Sequence, residues 1–131
     1  DARVLGVYVQ PMVSGGQELI VGAVRDPQFG PLVMAGAGGL EVEAAGDVAF
    51  ALAPLGREEA GDLLDRTMAG RRLRGFRSVP PADRAAAIEA VVRLAQLAAD
   101  FAEIAEVEIN PLLVLPEGQG AVAVDVRVCL A

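Results

Sequence analysis

The stretch Glu106-Val107-Glu108-Ile109-Asn110-Pro111-Leu112-Leu113-Val114-Leu115, followed by Pro116-Glu117-Gly118-Gln119-Gly120 and then Ala121-Val122-Ala123-Val124-Asp125-Val126-Arg127-Val128, decides the reading of this chain. Two apolar arms rich in Val, Ile and Leu flank a link made of turn residues, which predicts a β-hairpin. A tight loop centred on Glu117-Gly118 opposes residues whose numbers sum to a constant, so Asn110 faces Asp125 and Glu108 faces Arg127. Directly opposed residues have Cβ atoms roughly 4.5–5.5 Å apart. Side chains alternate across a strand, so Glu108 and Asn110 share a face, as do Asp125 and Arg127. One face would then carry two carboxylates and an amide. These are hard oxygen donors of the kind Mg²⁺ takes, with waters and phosphates completing its octahedron. A second reading fits equally well at this level: a half-solvated strand with a Glu108–Arg127 cross-strand pair.

The surrounding composition narrows the classes. The 131 residues suffice for one domain with a core, and the 53% of hydrophobic residues are spread along the chain, against disorder. A formal net charge of −7 and only four Phe and one Tyr disfavour a nucleic-acid or anionic-membrane partner. No apolar run approaches the ~20 residues that span a bilayer, and no signal peptide is visible. The single cysteine, Cys129, leaves no internal disulfide, which suits a reducing, cytoplasmic setting. Without histidine, the chain itself holds no Ser-His-Asp triad, His-ligated zinc or phosphohistidine. It begins at Asp1 rather than Met, which predicts a piece of something longer.

Working outward toward the N-terminus, Ala82 to about Phe101 predicts the best helix. Pro80-Pro81 precede it, Ile88, Val91, Val92, Ala95 and Ala99 form an apolar face, and Glu89–Arg93 is an i,i+4 pair on the other. Arg57 to Met68 predicts a second helix with Ala60, Leu63, Leu64 and Met68 at helical spacing. Between them, Arg71-Arg72-Leu73-Arg74-Gly75-Phe76-Arg77 is either a solvated connection or an anion clamp. Val4–Val9, Leu19–Val24, Pro31–Ala35 and Asp47–Ala53 predict strands, the second and third forming a hairpin across Asp26-Pro27-Gln28-Phe29-Gly30. Gly36-Ala37-Gly38-Gly39 opens a glycine-rich loop that lets backbone N–H groups approach a phosphate, or is simply a connection. It lacks the Lys-Ser/Thr ending of a P-loop. Strands, two helices, then strands predict an α+β fold, with a mostly antiparallel sheet and two main helices on one face.

Val9-Gln10-Pro11-Met12, Gly16-Gln17-Glu18-Leu19-Ile20-Val21-Gly22, Gly38-Gly39 with Glu43, Glu108-Ile109-Asn110-Pro111-Leu112 and Val124-Asp125, in this order, resemble the ATP-grasp domain. The resemblance is to its C-terminal subdomain in ADP-forming acetyl-CoA and acyl-CoA synthetases, and more distantly to the succinyl-CoA synthetase β subunit. Asp47–Phe50 and Leu73–Arg77 look like the same branch, and the likeness covers essentially residues 1–131. It implies ATP/ADP and Mg²⁺ as cofactors. Gln10, Pro11 and Met12 would meet the adenine at a hinge, Glu18 the ribose hydroxyls, and Asn110 and Asp125 the Mg²⁺, with Glu108 close by. Glu41 and Glu43 would lie near the phosphates and Arg77 could face the transferred phosphate.

The family's chemistry moves phosphate between ADP/ATP and a phosphohistidine, with acyl phosphate and acyl-CoA steps on another domain. The N-terminal ATP-grasp subdomain with its phosphate-binding lysine or arginine, and the CoA-binding domain with its histidine, are not in this sequence. The resemblance therefore implies half a nucleotide site, inactive alone, that works with those partners in cis or in trans. The alternative from a different class is a non-catalytic regulatory or nucleotide-sensing module in a lysine acetyltransferase fusion.

Overall fold

In the computed structural model, which describes residues 3–39 and 46–131, the sheet is built around β1 (Gln17–Asp26). A turn closed by Asp26, whose Oδ1 accepts from the amides of Gln28 and Phe29 at 2.8 and 2.9 Å, returns the chain as β2 (Gly30–Ala37). The expected hairpin is present, with register from Asp26↔Gly30 to Leu19↔Ala37. β3 (Val48–Leu52) pairs with β2 at one edge. Helices α1 (Arg57–Asp65), α2 (Met68–Arg72) and α3 (Arg84–Asp100) follow. The chain then re-enters the sheet as β4 (Ile104–Val114) on the other side of β1, and its return arm forms β5 (Ala121–Ala123) and β6 (Val126–Leu130). All pairings are antiparallel, in the order β3-β2-β1-β4-β5 with β6 also on β4. Among the described residues no helix is long and apolar enough to cross a membrane.

Alternation sends Leu19, Val21 and Ala23 of β1 to one face, where all three are buried. The helices cover that face with Leu63 and Leu64 of α1 and Ala87, Val91, Leu94, Ala95 and Ala98 of α3, in a single core cluster. The buried stripe of α3 is turned slightly from the expected one, since Leu94 and Ala98 are buried while Ile88, Val92 and Ala99 lie at its half-buried margin. The i,i+4 pair forms as expected, with Arg93 Nε 2.7 Å from Glu89 Oε1.

Three expectations are corrected. Val4–Val9 is in no strand, and its large apolar side chains are 79% to 103% exposed. A strand exists only through a ladder partner, and none of the described residues offers one. The helix predicted over Arg57–Met68 stops at Asp65. Thr67 takes extended backbone there (φ −108°, ψ 153°) and its hydroxyl accepts from Gly70 N at 2.9 Å, starting α2. Asp47 lies ahead of β3 instead of within it, and its carboxylate accepts from Met68 N and Ala69 N at 2.7 and 2.8 Å. The Arg71–Arg77 run consequently starts inside a helix, and Leu73 within it is fully buried.

Candidate functional site

The closing hairpin has the register expected of it. Glu108↔Arg127 and Ile109↔Val126 pair on one side, and Leu112↔Ala123 to Val114↔Ala121 on the other. Asn110 and Asp125 lie between these two ladders and are opposed, Asn110 N donating to Asp125 O at 3.0 Å. The return arm is broken rather than continuous, because Val124 and Asp125 belong to no strand. The Asn110–Pro111 peptide is cis. Proline also removes the donor that would continue the ladder. On the other flank β4 makes three steps, Ile109 to Leu112, while β1 makes two, Val21 to Leu19. An irregularity of this kind re-aims side chains at a defined place in a sheet.

The two faces of the hairpin differ in chemistry. Val107, Ile109, Ala123, Val126 and Val128 line an apolar groove beside α3. Glu108 lies on the opposite, helix-free face, beside Gly22 and Met34. Arg127 ion-pairs with Glu106 rather than with the directly opposed Glu108, and hydrogen bonding to that carboxylate raises the Arg127 pKa. The expected Glu108–Arg127 cross-strand pair is thus not made. Among the described residues Glu108 has no salt-bridge partner.

The glycine turn reaches this same place. Gly38 N donates to Glu18 O at 3.3 Å, and Gly39 N donates to the side-chain Oδ1 of Asn110 at 3.0 Å. Gly39 has φ +69°, and a Cβ there would sit 2.1 Å from Glu18 Oε2. Glu18, Gly39 and Asn110 therefore converge from β1, the end of β2 and β4. A cavity of about 750 Å³ opens beside them, lined by Glu18, Gly38, Gly39 and Pro111 on one side and by Arg72, Phe76 and Val79 on the other.

Arg77 lies in the turn closed by Phe76 and Val79, with φ +50° and its guanidinium 5.1 Å from the centroid of the Phe76 ring. The other arginines of this run divide by task. Arg74 and Arg84 both bind Asp65 Oδ2, at 2.6 and 2.9 Å, and Arg71 binds the Asp65 carbonyl at 2.8 Å. Burial pushes the Asp65 pKa up, but the hydrogen bonds and charges of Arg74 and Arg84 outweigh it and hold it below the usual carboxylate value. Gln10, Pro11 and Met12 stand on the exposed segment ahead of β1, apart from the sheet. Glu41 and Glu43 lie outside the described residues.

Among the described residues no three acidic, histidine or cysteine side chains gather into a cluster. The donor set of Asn110, Asp125 and Glu108 is one amide and two carboxylates. Such a set fits a hard cation that keeps several water or phosphate ligands, and does not fit a cation that needs an all-protein cage.

The family model described as an ATP-grasp domain matches residues 1–130. The chain belongs to the ATP-grasp family. Among similar ATP-grasp proteins, the ADP-forming acetate–CoA ligase I of Archaeoglobus fulgidus is 46% identical over 129 residues, 98% of this chain but 18% of that protein. The β subunit of the ADP-forming acetate–CoA ligase I of Pyrococcus furiosus is 40% identical over 130 residues, 99% of this chain and 55% of the subunit. Among solved structures, the dinucleotide-forming acetyl-coenzyme A synthetase 1 of Ca. Korarchaeum cryptofilum, in complex with coenzyme A and Mg-AMPPCP, superposes with a TM-score of 0.85. It shares 40% identity over 91% of this chain and 55% of that one. The chain thus spans about half, or less than a fifth, of the ATP-grasp relatives it matches.

Sequence reasoning missed two features of this region. The first is the Gly39 amide as Asn110's partner, since a contact across 71 positions leaves no local pattern. The second is Arg72, read with the rest of its run as either a solvated connection or an anion clamp; only packing shows that Arg71 and Arg74 are engaged with Asp65 while Arg72 borders the cavity.

Proposed function

We propose that this chain is the C-terminal, nucleotide- and Mg²⁺-binding subdomain of the ATP-grasp unit of an ADP-forming acyl-CoA synthetase. The observation that carries the reading is the opposition of Asn110 and Asp125 in the break of the closing hairpin. It occurs in a chain 46% identical to an ADP-forming acetate–CoA ligase. A related synthetase holds Mg-AMPPCP, with its phosphohistidine segment pointing towards the nucleotide-binding site.

In this reading Asn110 Oδ1 and the Asp125 carboxylate face the cation, with Glu108 beside them as a further oxygen donor. Mg²⁺, when bound, offsets phosphate charge during phosphoryl transfer. Glu18 meets the ribose hydroxyls, and Gln10 to Met12 receive the adenine as the hinge from a preceding subdomain. The N–H groups of Gly38 and Gly39 are taken by Glu18 O and Asn110 Oδ1, so the turn shapes this wall without donating to phosphate, and Arg77 brings a guanidinium to the transferred phosphate. The exposed apolar Val4–Val9 segment supports docking against the remainder of a longer protein. The phosphohistidine and the acyl-CoA chemistry belong to that remainder. The product of the ATP-grasp step is ATP from ADP, or the reverse.

Calorimetric titration of Mg-ADP into the full-length parent tests this. Asn110→Ala and Asp125→Ala are each expected to weaken binding by about tenfold or more, as expected for losing a ligand worth roughly 1.4 kcal/mol. If both variants bound and transferred phosphate like the wild type, the metal assignment would be wrong. The isolated chain is expected to bind weakly or undetectably, and micromolar affinity would contradict the half-site reading.

A further inference from the structure

The geometry points to a second task for Asn110: it is a positioning residue that places the glycine turn, through the same oxygen it offers to the cation. This inference rests on the proposed metal site and deepens it. Asn110 Oδ1 accepts the Gly39 N–H at 3.0 Å, in a half-buried setting. A carbonyl oxygen has two acceptor directions, so one oxygen can hold an amide proton and face a cation together.

Two further features tie the turn to this contact. Gly38 N is held by the Glu18 carbonyl at 3.3 Å, and Gly39 packs so closely on the Glu18 carboxylate that no side chain fits between them. The Gly39 backbone, at φ +69°, is in the left-handed region that other residues enter at a cost. The Gly39 amide therefore needs an acceptor fixed from outside the turn. Among the described residues, the Asn110 side chain is the one that supplies it. The proposed cation wall on β4 and the glycine turn after β2 are in this way one unit, so that a shift of Asn110 moves both.

Amide hydrogen exchange of Gly39 in the full-length parent, read residue by residue by NMR, tests the coupling. Asn110→Ala is expected to speed Gly39 exchange about tenfold, the effect of losing one such bond. Asn110→Asp keeps an acceptor and is expected to restore protection or exceed it, because a charged acceptor binds more strongly. Asp125→Ala removes the other proposed cation ligand but not the Gly39 contact, and is expected to leave Gly39 exchange unchanged without metal. Added Mg-ADP is expected to slow Gly39 exchange in the wild type and not in Asp125→Ala.

Gly39 exchange unaltered by Asn110→Ala would overturn the inference. Should that variant fail to fold, Asn110→Asp decides, since faster exchange than wild type would overturn it too. A wild type insensitive to Mg-ADP, with the Asn110 dependence intact, would instead sink the metal reading and leave the positioning role standing.

Discussion

Gly38→Ala probes the site without touching a side chain in it. A Cβ at Gly38 would lie 2.6 Å from Leu19 C, 2.7 Å from Leu19 O and 2.9 Å from Leu19 N. These are backbone atoms of β1, and Leu19 is held on both sides, by Ala37 of β2 and Leu112 of β4. The sheet cannot retreat, so the turn must. Moving it stretches the Gly38 N to Glu18 O bond and the Gly39 N to Asn110 Oδ1 bond. At about 1 kcal/mol for each bond, the loss is about 2 kcal/mol, within the range for overpacking. For a domain of this size that corresponds to a fall in Tm of about 5–10 °C.

Urea unfolding checks the figure, provided the m-value is unchanged. Gly6→Ala is the control, because nothing lies within 4 Å of its Cβ and its φ is not positive. Its expected effect is within about 0.5 kcal/mol. A double-mutant cycle with Asn110→Ala sharpens the test. Gly38→Ala already loosens the Gly39 contact, so the two losses are expected to fall short of additivity by about 1 kcal/mol. A Gly38→Ala protein as stable as wild type, or full additivity, would refute the reasoning.

Other outcomes follow from the packing and the charges. Leu63→Ala empties a fully buried position between α1 and the sheet and is expected to cost about 2–5 kcal/mol in the same unfolding assay. Thr67→Val removes the hydroxyl that accepts from Gly70 N and donates to Leu64 O; the expected loss is about 1–2 kcal/mol, with Thr67→Ser largely retaining the cap. Asp65, whose pKa is held below the ordinary carboxylate value by Arg74 and Arg84, binds fewer protons when folded than when unfolded. Its pairing with Arg74 and Arg84 thus stabilises the fold at neutral pH, and the contribution is lost as pH falls from about 4 through the lower folded-state pKa. Asp65→Asn is expected to flatten that part of a urea-midpoint-against-pH profile, and an unchanged acid limb would count against the pairing.

Much of this molecule is legible in the order of its residues, because the informative patterns are local. Alternation and turn residues set the β1–β2 hairpin and the 235-sum register of the closing hairpin, since a slip by one residue would turn every apolar side chain of the arm to the wrong face. The opposition of Asn110 and Asp125 follows from the same arithmetic. Helical spacing located α1 and α3, with errors of a few residues at their ends where Thr67 and Asp83 act as caps.

The tertiary structure decided what depends on contacts between distant segments. Val4–Val9 has strand composition and no strand, because a ladder is a property of two segments and this one pairs with none of the described residues. Glu106, not the opposed Glu108, takes Arg127, because a long side chain chooses its partner in space. The four arginines of Arg71–Arg77 look alike in one dimension, yet folding commits two of them to Asp65 and leaves Arg72 at the cavity. For the same reason the sequence by itself determined which residues of the closing hairpin could offer oxygen to a cation. Only the fold brought the Gly39 amide to Asn110, since a hydrogen bond across 71 positions is created by the packing of β1 between β2 and β4 and by nothing local.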